Sequence, residues 1–196
     1  MANEHTYDSS RYSLQLSGPK EWVGAADSLL VAAQLLEPLL KKRWDLFDTA
    51  LNNRNHRIPS LTIQNVYLLL MAFAIENLLK SVIIRSKITI SPNPSVVQKA
   101  LPKILKNHKL YPLAKLAGFK MNSRQELLLR RLSRFSIWAG RYPIPTTAKD
   151  YEPNEELSSG EEWTVGYLSS SDVSEVTDLL VALFKQLKID PFDSAA

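Results

Sequence analysis

Glu76, Asn77 and Lys80 interrupt a segment whose other side chains are apolar. At 100° per residue, Leu69, Ala72, Phe73 and Ile83 surround Glu76, and Val66, Leu70, Phe73 and Ile84 surround Asn77. A carboxylate in such company is costly unless paired. Lys80, four residues on, is one available partner. Arg131, which shares an arc with Leu127, Leu128, Phe135 and Trp138, is another, and Arg141 a third. These groups form either a structural ion pair or an acid–base site, because the two share a signature. Trp138-Ala139-Gly140-Arg141-Tyr142-Pro143 is the second constellation. An arginine on a Gly- and Pro-bounded turn beside aromatics suits a phosphate or a stacked base. It equally suits capping a helix C-terminus while Trp138 and Tyr142 pack inward.

The three histidines, His5, His56 and His108, form no ligand pair at helical spacing, and there is no cysteine. A metal centre, a disulfide framework and a thiol nucleophile are therefore not expected. The six glycines carry no phosphate-binding loop and no nucleophile elbow, so no cofactor is expected either.

Charge is sorted along the chain. Residues 1–79 carry 7 basic and 8 acidic side chains, residues 80–149 carry 15 basic and one acidic, Glu126, and residues 150–196 carry 2 basic and 11 acidic. The overall charge of +4 hides a middle third at +14 and a tail at −9. Such a block suits a nucleic-acid backbone, through Arg124, Arg130, Arg134 and Lys149 with Lys99, Lys103, Lys106, Lys109, Lys115 and Lys120. The acidic tail is the rival partner for the same cations.

These side chains need elements to hold them. A length of 196 residues, 45% of them hydrophobic, fits one globular domain. The spacing predicts a helix from Pro19 through Trp22, Ala26, Leu29, Ala33 and Leu36, kinked or restarted near Glu37 by Pro38 and continuing to Leu46 and Phe47. Asn52 to Pro59 closes it. A second helix over 61–85 is apolar all round and is placed at the centre. A loop over 86–95 leads to short helical pieces at Val96–Asn107, interrupted at Pro102, and Leu110–Ala117, stopped by Gly118. Asn122-Ser123 opens the next helix, with Ser123 and Glu126 at capping-box spacing, and it runs to Ala139. Arg141 to Pro145 is extended, and 146–170 is irregular and acidic, docking by Trp163, Val165, Tyr167 and Leu168. Asp172 and Glu175 open a last helix with the stripe Val173, Val176, Leu179, Leu180, Leu183, Phe184 and Leu187.

The expected fold is all-α: four to five main helices around the buried helix 61–85, in one domain over 19–188, with a 1–18 extension and a 189–196 tail. No signal-peptide pattern opens the chain, and the apolar run Val66–Ile75 ends at Glu76, short of the ~20 residues a bilayer needs. The cytoplasm, without membrane attachment, is the expected setting.

Ala72-Phe73-Ala74-Ile75-Glu76-Asn77-Leu78-Leu79-Lys80-Ser81, His108-x-Leu110-x-x-Leu113-Ala114 and Trp138-Ala139-Gly140-Arg141-Tyr142-Pro143, in that order, resemble the HEPN superfamily of prokaryotic helical bundles. The resemblance implies a bundle, often dimeric, associated with RNA cleavage, nucleotide binding, or toxin–antitoxin and defence systems. RNases of that family carry arginine followed four to six residues later by histidine. Here Arg141 is followed by Tyr-Pro-Ile-Pro-Thr-Thr-Ala, and Arg54-Asn55-His56 has the wrong spacing. The base or acid that would handle the 2′-hydroxyl proton is missing from that place. The reading is accordingly a non-enzymatic, self-associating module that binds nucleic acid, nucleotide or a protein partner. Glu76, Lys80, His108, Arg141 and Tyr142 are the candidates for its cleft, and no catalytic residue is assigned. A divergent RNase working across a dimer cleft and a purely structural interaction module are the alternatives.

Overall fold

Pro38 decides how the first helix is built. Having no N–H, it is tolerated only where none is needed, so the chain turns at Leu35–Leu36 and restarts. The result is α1, Pro19–Gln34, and α2, Glu37–Asn52, the kink expected near Glu37. Both turn residues keep right-handed helical angles, and Leu40 N–H still reaches Leu36 O at 2.9 Å. The computed structural model describes residues 18–53, 59–87, 102–142, 144, 147–148, 154–157, 159–160, 162–164 and 168–189.

Helix α3, Thr62–Lys87, is apolar on every side and buries Tyr67, Leu68, Ile75, Leu78, Leu79 and Ile83 almost completely. It packs against every other α-helix of the described residues. Small side chains on α1, Ala26 and Ala33, allow close approach to it. A 3₁₀ turn at Lys103–Lys106 leads to α4, Leu110–Ala117. Gly118 ends α4 with φ +83°, and Phe119 N–H returns to Ala114 O at 2.9 Å, the left-handed stop that glycine makes at least cost.

α5, Ser123–Arg134, opens at the expected Asn122-Ser123, with the capping box one residue earlier than Ser123 and Glu126. The capping box is Asn122 with Gln125, each side chain bonded to the other's backbone N–H at 2.9 and 3.1 Å. Ser123–Glu126 does not form it, because Glu126 turns inward to Arg130, 2.8 Å away. The helix then widens into a π turn over Phe135–Ala139, closed by Gly140 N–H to Phe135 O at 3.2 Å. α6, Asp172–Leu187, also differs from the expected Asp172–Glu175 cap. Ser171 Oγ donates to Glu175 at 2.7 Å, and Asp172 looks backward to accept from Ser169 N–H at 3.0 Å.

Among the described residues the architecture is all-α, apart from a two-stranded antiparallel ribbon, β1 (Asn154–Glu156) with β2 (Glu162–Thr164), Glu155 opposite Trp163. The ribbon corrects the expectation of an irregular segment over 154–156 and 162–164. The extension 1–17, the stretch 88–101, Pro143, Pro145, Lys149, Val165, Tyr167 and residues 190–196 lie outside the described residues.

Candidate functional site

The C-terminal half of α3 and the strand-like stretch before α4 bring three of the sequence candidates together. Lys80 Nζ donates to Glu76 Oε1 at 2.6 Å, with the two side chains 4% and 8% exposed. The buried pair is therefore an i, i+4 pair within one helix, and the pairing of Glu76 with Arg131 or Arg141 considered above does not occur. Lys80 Nζ also lies 5.6 Å from the ring centre of Trp22 on α1, a cation–π contact over a partly buried indole.

His108 completes the group from outside. Its Nδ1 is 3.0 Å from Glu76 Oε1 and 3.2 Å from Oε2, while the imidazole is 59% exposed. A carboxylate only accepts, so Nδ1 carries the proton, and in the neutral ring Nε2 is left as the basic nitrogen. The segment is pinned by Leu110 N–H to Ser133 Oγ, 2.8 Å, and by Ser136 on the π turn, whose Oγ approaches His108 O at 3.4 Å.

Arg141 stands beside this group in a different role. Its Nη2 donates to Ser136 O and Ile137 O, both at 2.7 Å, so it caps the carbonyl end of the π turn. The remaining guanidinium is exposed, 5.8 Å from the Tyr142 ring. Trp138 packs inward as expected, but Tyr142 is exposed.

The acidic helix α6 answers part of the charge question. Asp172 and Arg131 form a buried salt bridge. Asp172 also accepts from Gln64 Nε2 at 2.5 Å, and Gln64 Oε1 accepts from Trp44 Nε1 at 2.6 Å. Four elements are thus tied by one polar chain: α2, α3, α5 and α6. Near it, burial pushes the Tyr67 phenol far above its ordinary range, with the carboxylates of Glu37 and Asp172 adding to the effect. Arg124 binds Glu175 at 2.9 Å, beside a groove of about 280 Å³ between α5 and α6. Burial alone would raise the Glu175 carboxyl, but the Ser171 hydrogen bond and Arg124 hold it below the ordinary glutamate value.

No family model, curated protein or solved structure matches this chain.

Of the nucleic-acid candidates, Arg124 and Arg130 are ion-paired, Arg130 also stacking 4.2 Å from the Tyr111 ring, and Arg134 is partly buried. Lys103, Lys106 and Lys109, around the 3₁₀ turn, and Lys115 on α4 are exposed and form no salt bridge with a described residue. Composition placed them in the basic block without separating them from the paired arginines. Trp22, Gln64 and Trp44 were missed as partners of polar groups. Gln64 carried no signal of the kind that marked Glu76, since Ser60, Thr62 and Asn65 surround it in sequence. The lower-numbered half of the site, Glu76 and Lys80, is structural in its pairing; the exposed half, His108 with the neighbouring lysines, is what can meet a ligand.

Proposed function

We propose that this chain is a HEPN-like helical module, without catalytic activity of its own, that binds the phosphate groups of RNA or a nucleotide on the face formed by Lys103, Lys106, His108, Lys109, Lys115 and Arg141. The observation carrying this reading is how α6 spends its acid. Asp172 and Glu175 neutralise Arg131 and Arg124 on α5, while the lysines around the 3₁₀ turn and α4 keep no carboxylate partner among the described residues. A cluster of unpaired, exposed cations draws a polyanion by counterion release. The exposed Tyr142 offers a ring for base stacking. The HEPN-like order of motifs supports RNA as the polyanion and a toxin–antitoxin or defence setting.

Titration of purified protein with single-stranded RNA across a salt series tests this. Binding that weakens linearly with log salt concentration supports the reading, and no binding at low salt overturns it. A stable complex with a protein and none with RNA would favour the interaction-module alternative.

The RNase alternative draws on one specific observation, the Glu76–His108 contact at 3.0 Å, which presents an imidazole as a proton acceptor on the basic face. Metal-free cleavage of RNA by the wild type, lost in a folded His108→Ala variant, would establish it over the binding-only reading.

A further inference from the structure

His108 is held in a way that packing does not require. Its imidazole is 59% exposed, so the ring adds little to the core, yet it is bonded to a carboxylate that is 8% exposed. Lys80, at 2.6 Å, already supplies the counter-charge for Glu76. A further bond from that oxygen to a solvent-facing ring is worth little as stability. What it does fix is the ring itself. Nδ1 keeps the proton, and Nε2 is left with its lone pair and no hydrogen-bond partner among the described residues. The backbone on both sides is pinned as well, by Ser136 Oγ to His108 O at 3.4 Å and by Leu110 N–H to Ser133 Oγ at 2.8 Å.

An oriented nitrogen lone pair is a nucleophile, and its surroundings suit attack on phosphorus. When Nε2 bonds to a phosphoryl group the ring becomes cationic. Nδ1–H carries that charge to the Glu76 carboxylate, so the existing hydrogen bond strengthens as the reaction proceeds. Lys106 and Lys109, exposed and close to His108 in the chain, supply positive charge for the phosphoryl oxygens, and neither forms a salt bridge with a described residue. The sequence has no phosphate-binding loop to activate a nucleotide, so the donor must bring its own reactive bond. A phosphoramidate does. The bond from His108 Nε2 to phosphorus forms, the donor's N–P bond breaks, and its electron pair leaves with the donor nitrogen. One N–P bond replaces another, a donor nitrogen already protonated leaves without a further proton, and nothing is oxidised or reduced.

We propose that His108 is a phosphoryl-acceptor site, modified at Nε2 by a donor of the phosphoramidate class, with Glu76 as its positioning residue. The modification is read without RNA, so its success or failure is separate from that of RNA binding.

Potassium phosphoramidate is the probe, added to the full-length protein at neutral pH with N-acetylhistidine in the same tube as the standard. Phosphorus NMR, and mass spectrometry of peptides kept alkaline to spare the N–P bond, locate the label and follow its rate. His108 should be labelled at Nε2 about tenfold faster than the standard, the effect of one charge-assisted hydrogen bond that strengthens in the transition state. His108→Gln, a change at an exposed side chain, should remove that label with circular dichroism unchanged. Glu76→Gln/Lys80→Met, which leaves no orphaned charge in the core, should stay folded and slow the His108 reaction to about the standard's rate. The wild-type rate against the standard decides the matter even where that double variant does not fold. The proposal is overturned if His108 stays unlabelled, if it reacts at Nδ1, if it reacts no faster than the standard, or if the folded double variant reacts as fast as the wild type.

Discussion

His108 Nδ1 sits 3.0 Å from Glu76 Oε1, an exposed imidazole bonded to a buried carboxylate. The same oxygen accepts from Lys80 Nζ at 2.6 Å. Glu76 therefore has its counter-charge inside the protein, and its hold on His108 fixes the ring's orientation and tautomer. Lys80 neutralises, Glu76 orients and His108 is presented. The buried pair and the exposed ring should then respond differently to mutation.

Glu76→Gln and Lys80→Met each leave one charge without its partner in an apolar setting. Breaking a buried pair in this way costs about 3–5 kcal/mol. The double variant Glu76→Gln/Lys80→Met should recover much of that loss, because no orphaned charge remains. Urea denaturation of the four proteins measures the coupling. Additive losses would show that the pair is not the unit described.

Gly140 closes the π turn against α3. A Cβ there would stand 2.6 Å from Leu69 Cβ and 2.9 Å from Phe135 O, neither of which swings freely. Gly140→Ala should lose about 1–3 kcal/mol in thermal or urea unfolding, the usual cost of overpacking. Gly118→Ala meets no atom within 4 Å but inherits φ +83°, and should lose about 1 kcal/mol from backbone strain alone.

The sequence carried the all-α class, the Pro38 kink and the Gly118 stop, because periodicity, proline and glycine act locally. It misplaced both helix caps by a residue, because the acids it assigned to them have other partners, one within its own helix and one across the fold. Asn122 and Ser123 are both good caps, as are Ser171 and Asp172, and those partners choose. Glu126 is taken by Arg130, and Asp172 by Arg131 and Gln64, so neither acid is free for its cap. Lys80 as partner of Glu76 was legible from four-residue spacing. His108, 32 residues away, could be named as a cleft candidate but not placed on the carboxylate. The β1–β2 ribbon left no clear signal, since three-residue strands are too short for an alternation to register.

The Arg124–Glu175 pair should make stability depend on pH in a defined direction. With its folded-state value held below the ordinary one, Glu175 contributes stability above the ordinary glutamate range. That contribution is lost as the pH falls through the folded-state value. Arg124→Ala should therefore destabilise most at neutral pH, with the difference from wild type shrinking under acid. Denaturation midpoints at pH 7 and below the glutamate range decide it. A difference that grows under acid would contradict the assignment.

The division of the basic block predicts which cations govern RNA binding. Lys106 and Lys109 are exposed and unpaired among the described residues, so Lys106→Ala and Lys109→Ala should each reduce the slope of log affinity against log salt by about 1. Arg124 is also exposed, but Glu175 already neutralises it, so Arg124→Ala should leave the slope near the wild-type value. Arg141 falls between them, since Nη2 is committed to Ser136 O and Ile137 O while the rest of the guanidinium is exposed. Its replacement should lower both affinity and thermal stability, whereas the lysine variants should lower affinity alone. If Arg124→Ala flattens the slope as much as Lys109→Ala, the acidic helix does not partition the block, and the RNA-binding face belongs on α5 instead.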